Sequence, residues 1–190
     1  MTSFVPHSAY AEDQKYAKSI LAFHVIRSGA AMGAILSVPT AIASTLYWGP
    51  KTLPTFSTRL LLHSFRGTLG GLVFGAVALE ARMWGRDDIE WQDRTWRLLE
   101  NRGQMEVDTW LLEGEVLGGV AALVAARKGW LPPALTGKAL TAVVGGIGVG
   151  AALSTTEYVV WRHGIRGGKF PERKSQILEQ NEKPSLGTVQ

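Results

Sequence analysis

Residues 29–48 read GAAMGAILSVPTAIASTLYW, twenty positions without one Asp, Glu, Lys or Arg, bracketed by Arg27 and Lys51. At 1.5 Å per residue a helix of that length covers about 30 Å, the thickness of a bilayer's hydrocarbon layer. A second stretch, 60–79 (LLLHSFRGTLGGLVFGAVAL), is broken only by Arg66, with His63 as its other titratable group. A third runs from Trp110 to about Ala126, with Glu113 and Glu115 near its start and Arg127-Lys128 at its end. Its uninterrupted apolar part, Val116 to Ala126, is about half the length of a span. The fourth, Ala139 to about Trp161, is uncharged until Glu157. These four stretches predict an all-α integral membrane four-helix bundle, with spans at about 29–48, 60–79, 110–126 and 139–161. A polar N-terminal segment (1–28) precedes the membrane domain (29–161), and a polar, extended tail (162–190) follows it.

Composition alone hides this. Hydrophobic residues make up 46% and mean hydropathy is +0.06, values that suit a soluble chain. A soluble bundle of buried helices is the alternative, since an all-apolar helix is either a core or a membrane helix. Two features favour lipid. Tyr47, Trp48, Trp84, Trp110, Trp130 and Trp161 fall at span ends, where aromatic belts form. Spans one and four also lack the polar outer face a soluble helix needs. The 22 glycines lie mostly inside the apolar stretches, where each costs about 1 kcal/mol against Ala in a soluble helix.

The chain has no cysteine, which removes disulfides, thiolate metal sites and Cys nucleophiles. Its +4 charge is spread among interleaved acids, with no basic stripe of the kind nucleic-acid binding needs. Met1 to Gln14 contains Glu12 and Asp13 and lacks an apolar signal core, so no cleavable leader is expected. The four histidines show no ligand spacing. Gly145 to Gly150 lies inside an apolar run with no Lys-Ser/Thr after it, which rejects a phosphate-binding loop. No catalytic residue, cofactor, metal or small-molecule substrate is expected.

Between spans two and three, Asp87-Asp88 can cap a short extramembrane helix running to about Asn101, ended by Gly103. Glu90–Arg94 and Asp93–Arg97 are i,i+4 pairs, and Ile89, Trp96 and Leu99 share one side. This helix is expected on the membrane surface or against a partner, with Trp91, Trp96, Arg94 and Arg97 as contacts.

Each span carries small residues four apart: Gly29, Gly33, Ser37 and Ala41; Gly67, Gly71 and Gly75; Gly114, Gly118, Ala122 and Ala126; Gly146, Gly150 and Ser154, beside Gly148 and Ala152. Such spacing makes one flat strip per helix. Lipid supplies no hydrophobic drive for helix association, so close backbone approach must. These strips are expected to be mutual interfaces.

Charges at membrane depth face protein or water. An even number of spans puts both ends and the middle connection on one side, and the count of bases places that side in the matrix or cytoplasm. Glu113, Glu115 and Glu157 then lie level with Arg27 and Arg82 and are expected to form an ion-pair cluster. Arg66 lies about 10 Å in from the opposite face. It either snorkels or lines a polar cavity with His63.

The small-residue sets, above all Arg66-Gly67-Thr68-Leu69-Gly70-Gly71 and Gly145 to Gly150, resemble the mitochondrial inner-membrane family that contains the Tim-type translocase channels and an accessory subunit of respiratory complex I. The resemblance covers about Gly29 to Trp161. The segment Glu90-Trp91-Gln92-Asp93-Arg94-Thr95-Trp96-Arg97-Leu98-Leu99-Glu100-Asn101 is similar to a fungal family of small mitochondrial membrane proteins associated with complex I. The long charged middle connection departs from the translocases, which are expected to keep both ends in the intermembrane space. The resemblance implies a multi-pass protein of the mitochondrial inner membrane, a non-catalytic accessory subunit of complex I. Other subunits and membrane lipids would be its partners. The alternative is a component of an inner-membrane translocase or channel.

Overall fold

The computed structural model describes residues 5–170. Five α-helices make up the fold: α1 (Ala17–Trp48), α2 (Leu53–Met83), α3 (Asp88–Glu100), α4 (Arg102–Lys128) and α5 (Ala139–Val159). No strand occurs among the described residues. α1, α2, α4 and α5 are long and apolar enough to cross a membrane, and the chain is a multi-pass membrane protein. The third span, short by composition, lies in a continuous helix of 27 residues. Its amphipathic first half carries the charges, and its second half the apolar run.

α1 and α2 form an antiparallel hairpin in which backbone meets backbone. A Cβ on Gly29 would lie 2.5 Å from the Gly71 carbonyl oxygen and 2.9 Å from Gly75 Cα. Gly33 and Gly67 face each other so closely that a Cβ on either would strike the other's carbonyl. α4 and α5 repeat the arrangement, with Gly118 against Gly146 and Gly150, and Gly114 against Gly150 and Ser154. The hairpins join where α5 lies parallel to α2. Gly145 abuts the Leu61 backbone, and Gly148 meets the hydroxyls of Ser64 and Thr68 together with Ala34 of α1. α5 is therefore the hub. Its apolar window is 44% buried, against 17 to 22% in the other three spans.

The connections follow local rules. Thr52 caps α2, its hydroxyl accepting the Thr55 N–H at 3.4 Å, with Pro54 in the first turn. α4 ends at Gly129 in the left-handed region (φ +69°). There the Trp130 N–H returns to the Ala125 carbonyl at 2.9 Å. Within the α4–α5 connection, Leu135 of the short Pro133–Leu135 turn is fully buried.

Two expectations need correcting at the middle connection. Gly103 does not end α3. Asn101 does, and its side chain then accepts the Gln104 N–H at 3.1 Å, so one residue closes α3 and caps α4. Gly103 sits in the first turn of α4, where its low helix propensity costs least. Glu90 pairs with Arg86 (3.3 Å) rather than Arg94, while the Asp93–Arg97 pair forms at 3.0 Å.

The N-terminal segment folds back onto α3 as a cap. Gln14, 2% exposed, is held at both ends of its amide: Ser8 N–H and Oγ donate to Oε1, and Nε2 donates to the Pro6 and Lys15 carbonyls. From α3, Trp96 Nε1 donates to Ser8 O (3.1 Å), Gln92 Nε2 to Glu12 O (2.9 Å) and the fully buried Thr95 hydroxyl to Ala17 O (2.9 Å). The buried side of α3 is thus Gln92, Thr95 and Trp96, and Ile89 is exposed. Main-chain acceptors of the N-terminal segment, invisible to periodicity, select that side. α1 begins at Ala17, so residues 17–28 of the segment expected to be polar (1–28) are helix.

Val159–Phe170 belong to a second unit. Val160–Ile165 form a π-helical turn in which Arg162 is 2% exposed, its Cζ 4.8 Å from the Trp161 ring and 4.3 Å from the Phe170 ring. Arg162 Nη1 donates to Lys169 O at 2.7 Å. Arg162 and its neighbours to Ile165 are therefore helical rather than extended; the expectation for 171–190 lies outside the described residues.

Gly33→Val and Gly150→Val should each lower stability by about 1–3 kcal/mol through overpacking, read as a shifted midpoint in a dodecyl sulfate titration. Gly70→Val is the control, because no atom lies within 4 Å of a Cβ there. Equal effects at Gly70 and Gly33 would refute backbone contact as the cause.

Candidate functional site

The charges inside the bundle converge where α1 passes α4. His24 and Arg27 are one turn apart on α1 and share a face. On α4, Gln104, Asp108, Leu111 and Glu115 recur at i, i+4, i+7 and i+11, which makes one stripe of a helix that starts at Arg102. The two faces meet. His24 Nδ1 lies 2.8 Å from Asp108 Oδ2, and Gln104 Nε2 donates to Asp108 Oδ1 at 3.3 Å. Arg27 Nη2 donates to the Asp108 carbonyl at 2.5 Å, and Nε lies 3.2 Å from Glu115 Oε2. That last approach is an ion pair rather than an aligned hydrogen bond, since Nε has no partner of good hydrogen-bond geometry. The Phe23 ring, 5.7 Å from Arg27 Cζ, covers the guanidinium.

All four charged or titratable side chains are largely withdrawn from the surface. Arg27 and Glu115 are each 14% exposed. Beside them, Ala31, Leu111 and Ala151 form a small buried apolar cluster, with Leu111 lying between Asp108 and Glu115 along α4. The junction thus closes the gap between two parallel helices with long side chains, where the other helix pairs use glycine. Chemically it is a clamp. No group of three His, Asp or Glu side chains converges on a metal position among the described residues.

Of the expected cluster, the structure brings together Arg27 and Glu115. Glu113 is exposed, because two residues along a helix turn it about 200° from Glu115. Glu157 and Arg82 are exposed as well, and no ion pair among the described residues includes Glu113, Glu157 or Arg82. Arg66 lies on the outer face of α2, not in a cavity of the bundle. His63 reaches α1 there, its Nδ1 3.0 Å from Thr40 Oγ1. On α3, Trp96 is occupied by the chain's own N-terminal segment, and Lys18 stands 6.0 Å from the Trp91 ring while pairing with Asp88 at 2.6 Å. Arg94 and Arg97 line a shallow outer groove with Ile89, Glu90 and Asp93.

Sequence reading missed His24, Gln104 and Asp108, and also Arg59. The signal for the first three was the Gln104–Asp108–Glu115 stripe, legible only once α4 is extended back to Arg102. Arg59 crosses from α2 to close the C-terminal end of α1, donating to the Ser44 carbonyl, to Ser44 Oγ (2.9 Å) and to the Trp48 carbonyl (3.1 Å). Gly49 leaves room for it, since a Cβ there would lie 2.5 Å from Arg59 Nη2.

The chain matches no family model and no curated protein in sequence.

Arg27→Ala and Glu115→Ala should each destabilise by about 3–5 kcal/mol, the cost of a buried charge left unpaired. The double variant Arg27→Met/Glu115→Leu should recover most of that loss in the same unfolding titration. Near-neutral single variants would show that the pair does not hold α1 to α4.

Proposed function

We propose that this chain is a non-catalytic accessory subunit of a mitochondrial inner-membrane respiratory assembly, namely complex I. The observation that carries the reading is how the helix surfaces are used. The glycine faces are spent inside the bundle, and the polar groups at one end are spent on an internal clamp and cap. Outside remain large apolar side chains along the spans, Leu36, Phe74, Leu117 and Leu153 among them, and a charged strip on α3. Such a molecule is rigid and adhesive. Its outer faces suit neighbouring helices and lipid, and Arg94 and Arg97 suit acidic groups on an extramembrane neighbour.

A translocase or channel component is the second reading. The placement of Thr40, His63 and Arg66 on the outside of α1 and α2 favours it, because a lipid-facing groove would need polar groups there.

The test is mild-detergent extraction of the native membrane, a native gel, and mass spectrometry of the band that holds this chain. Stoichiometric recovery with NADH dehydrogenase subunits is expected. Recovery with translocase components, or alone, would overturn the accessory-subunit reading.

A further inference from the structure

Charge is divided unequally between the two ends of the bundle. Every carboxylate among the described residues lies in the N-terminal segment, at the end of α2, in α3 and the connection before it, in the first half of α4 or at the end of α5. From Ser28 to Leu79 and from Val116 to Thr156 the sequence has none. The other end of the bundle lies within those two stretches, which hold six cations: Lys51, Arg59, Arg66, Arg127, Lys128 and Lys138. None of the six is in an ion pair among the described residues, where every pair lies at the acidic end. Five of them are exposed, and Arg59 is half-buried over the end of α1.

Helix contacts set these cations at one level. Ser44 of α1 is beside Arg59 of α2, Leu61 of α2 is beside Gly145 of α5, and Ala122 of α4 is beside Gly146. Exposed Tyr47, Trp48 and Trp130 mark the same end, as aromatic side chains do at a headgroup layer. Arg66 is the exception in depth. It stands seven residues, about 10 Å, inside Arg59. Side chains on a helix lean towards its N-terminus, and the N-terminus of α2 is at this end. The guanidinium is therefore directed up the outer face of α2, past His63 and Thr40, towards the headgroups.

We infer that the carboxylate-free end of the bundle binds anionic phospholipid headgroups, with Arg66 drawing one phosphate down the α1–α2 face beside His63 and Thr40. Lipid fits better than an acidic protein segment for two reasons. The cations are distributed over the α1–α2 loop, the end of α4 and the α4–α5 connection, which suits several small anions rather than one docked chain. Arg66 also stands among exposed Leu69, Val73 and Phe74, on a face whose ordinary neighbour in a bilayer is lipid. The inference rests on the membrane-spanning fold and is independent of which assembly holds the chain.

The test uses the full chain in nanodiscs of phosphatidylcholine alone or mixed with phosphatidylglycerol, with bound lipid counted by native mass spectrometry after extraction. Phosphatidylglycerol should be retained preferentially. Arg66→Gln should weaken that retention about fivefold, with a similar factor for each further charge removed in Lys51→Gln/Arg127→Gln/Lys128→Gln/Lys138→Gln. Arg86→Gln/Arg94→Gln/Arg97→Gln, at the acidic end, should leave it unchanged. Should a variant fail to fold by circular dichroism, raising the salt on the unmodified chain gives the same answer, because retention must fall as the headgroup charge is screened. Equal retention of the two lipids, salt-independent retention, or equal loss in the acidic-end control would each overturn the proposal. So would an acidic protein that co-purifies and is lost with the four loop cations while lipid preference is absent. The native gel decides the accessory-subunit reading separately, since lipid retention by the isolated chain is the same whichever complex it joins.

Discussion

In hydrocarbon, two helices gain nothing from hiding apolar side chains that lipid already solvates, so contact must come from atoms that lipid cannot reach. Here that contact is main chain against main chain. Gly33 on Gly67, Gly29 on Gly71, Gly118 on Gly146 and Gly114 on Gly150 bring helices together at distances a methyl group would forbid. α5 carries the largest share, because it presents glycines on two faces at once. Gly146 and Gly150 meet α4, while Gly145 and Gly148 meet α2 and α1. A helix with glycines at 145, 146, 148 and 150 would be a poor helix in water. In a bilayer, where unsatisfied backbone polar groups are prohibitively costly, helix is the state left to it, and the missing side chains become contact area.

The same constraint explains why α1 and α4 are joined differently. They are parallel neighbours at the acidic end, and their facing positions carry His24, Arg27, Asp108 and Glu115 instead of glycine. Long polar side chains span a wider gap, and each finds a partner within the pair of helices. One gap held by charge and the others by glycine leave little slack in the bundle. The cap adds to this, since Trp96, Gln92 and Thr95 bind main-chain carbonyls from Ser8 to Ala17 and so fix the entry of α1.

How much of this is legible in the sequence follows from which forces are local. The four spans and the glycine strips are visible because both depend on composition and helical spacing within one segment. The start of α1 at Ala17 is not, because Lys18, His24 and Arg27 look like a polar lead-in until their partners on α3 and α4 are known. The α3–α4 joint fails for a related reason. Gly103 resembles a helix stop, but Asn101 performs that function and restarts the chain at once. That restart brings Gln104 and Asp108 into register with Glu115. Missing it hides Gln104 and Asp108 at the charged junction.

The two ends of the molecule also answer the question of topology in different terms. A count of bases alone favours the side holding α3 as the positive one. Pairing changes the balance: among the described residues Lys18, Arg27, Arg86 and Arg97 are each matched by a carboxylate, whereas no cation at the other end is. A charge already paired within the fold contributes little field to its surroundings, and an unmatched one acts over a Debye length. The end with fewer bases is therefore the one that a surrounding lipid layer experiences as positive. That inversion arises because the fold gathers its acids at one end, where they outnumber the bases and pair with four of them.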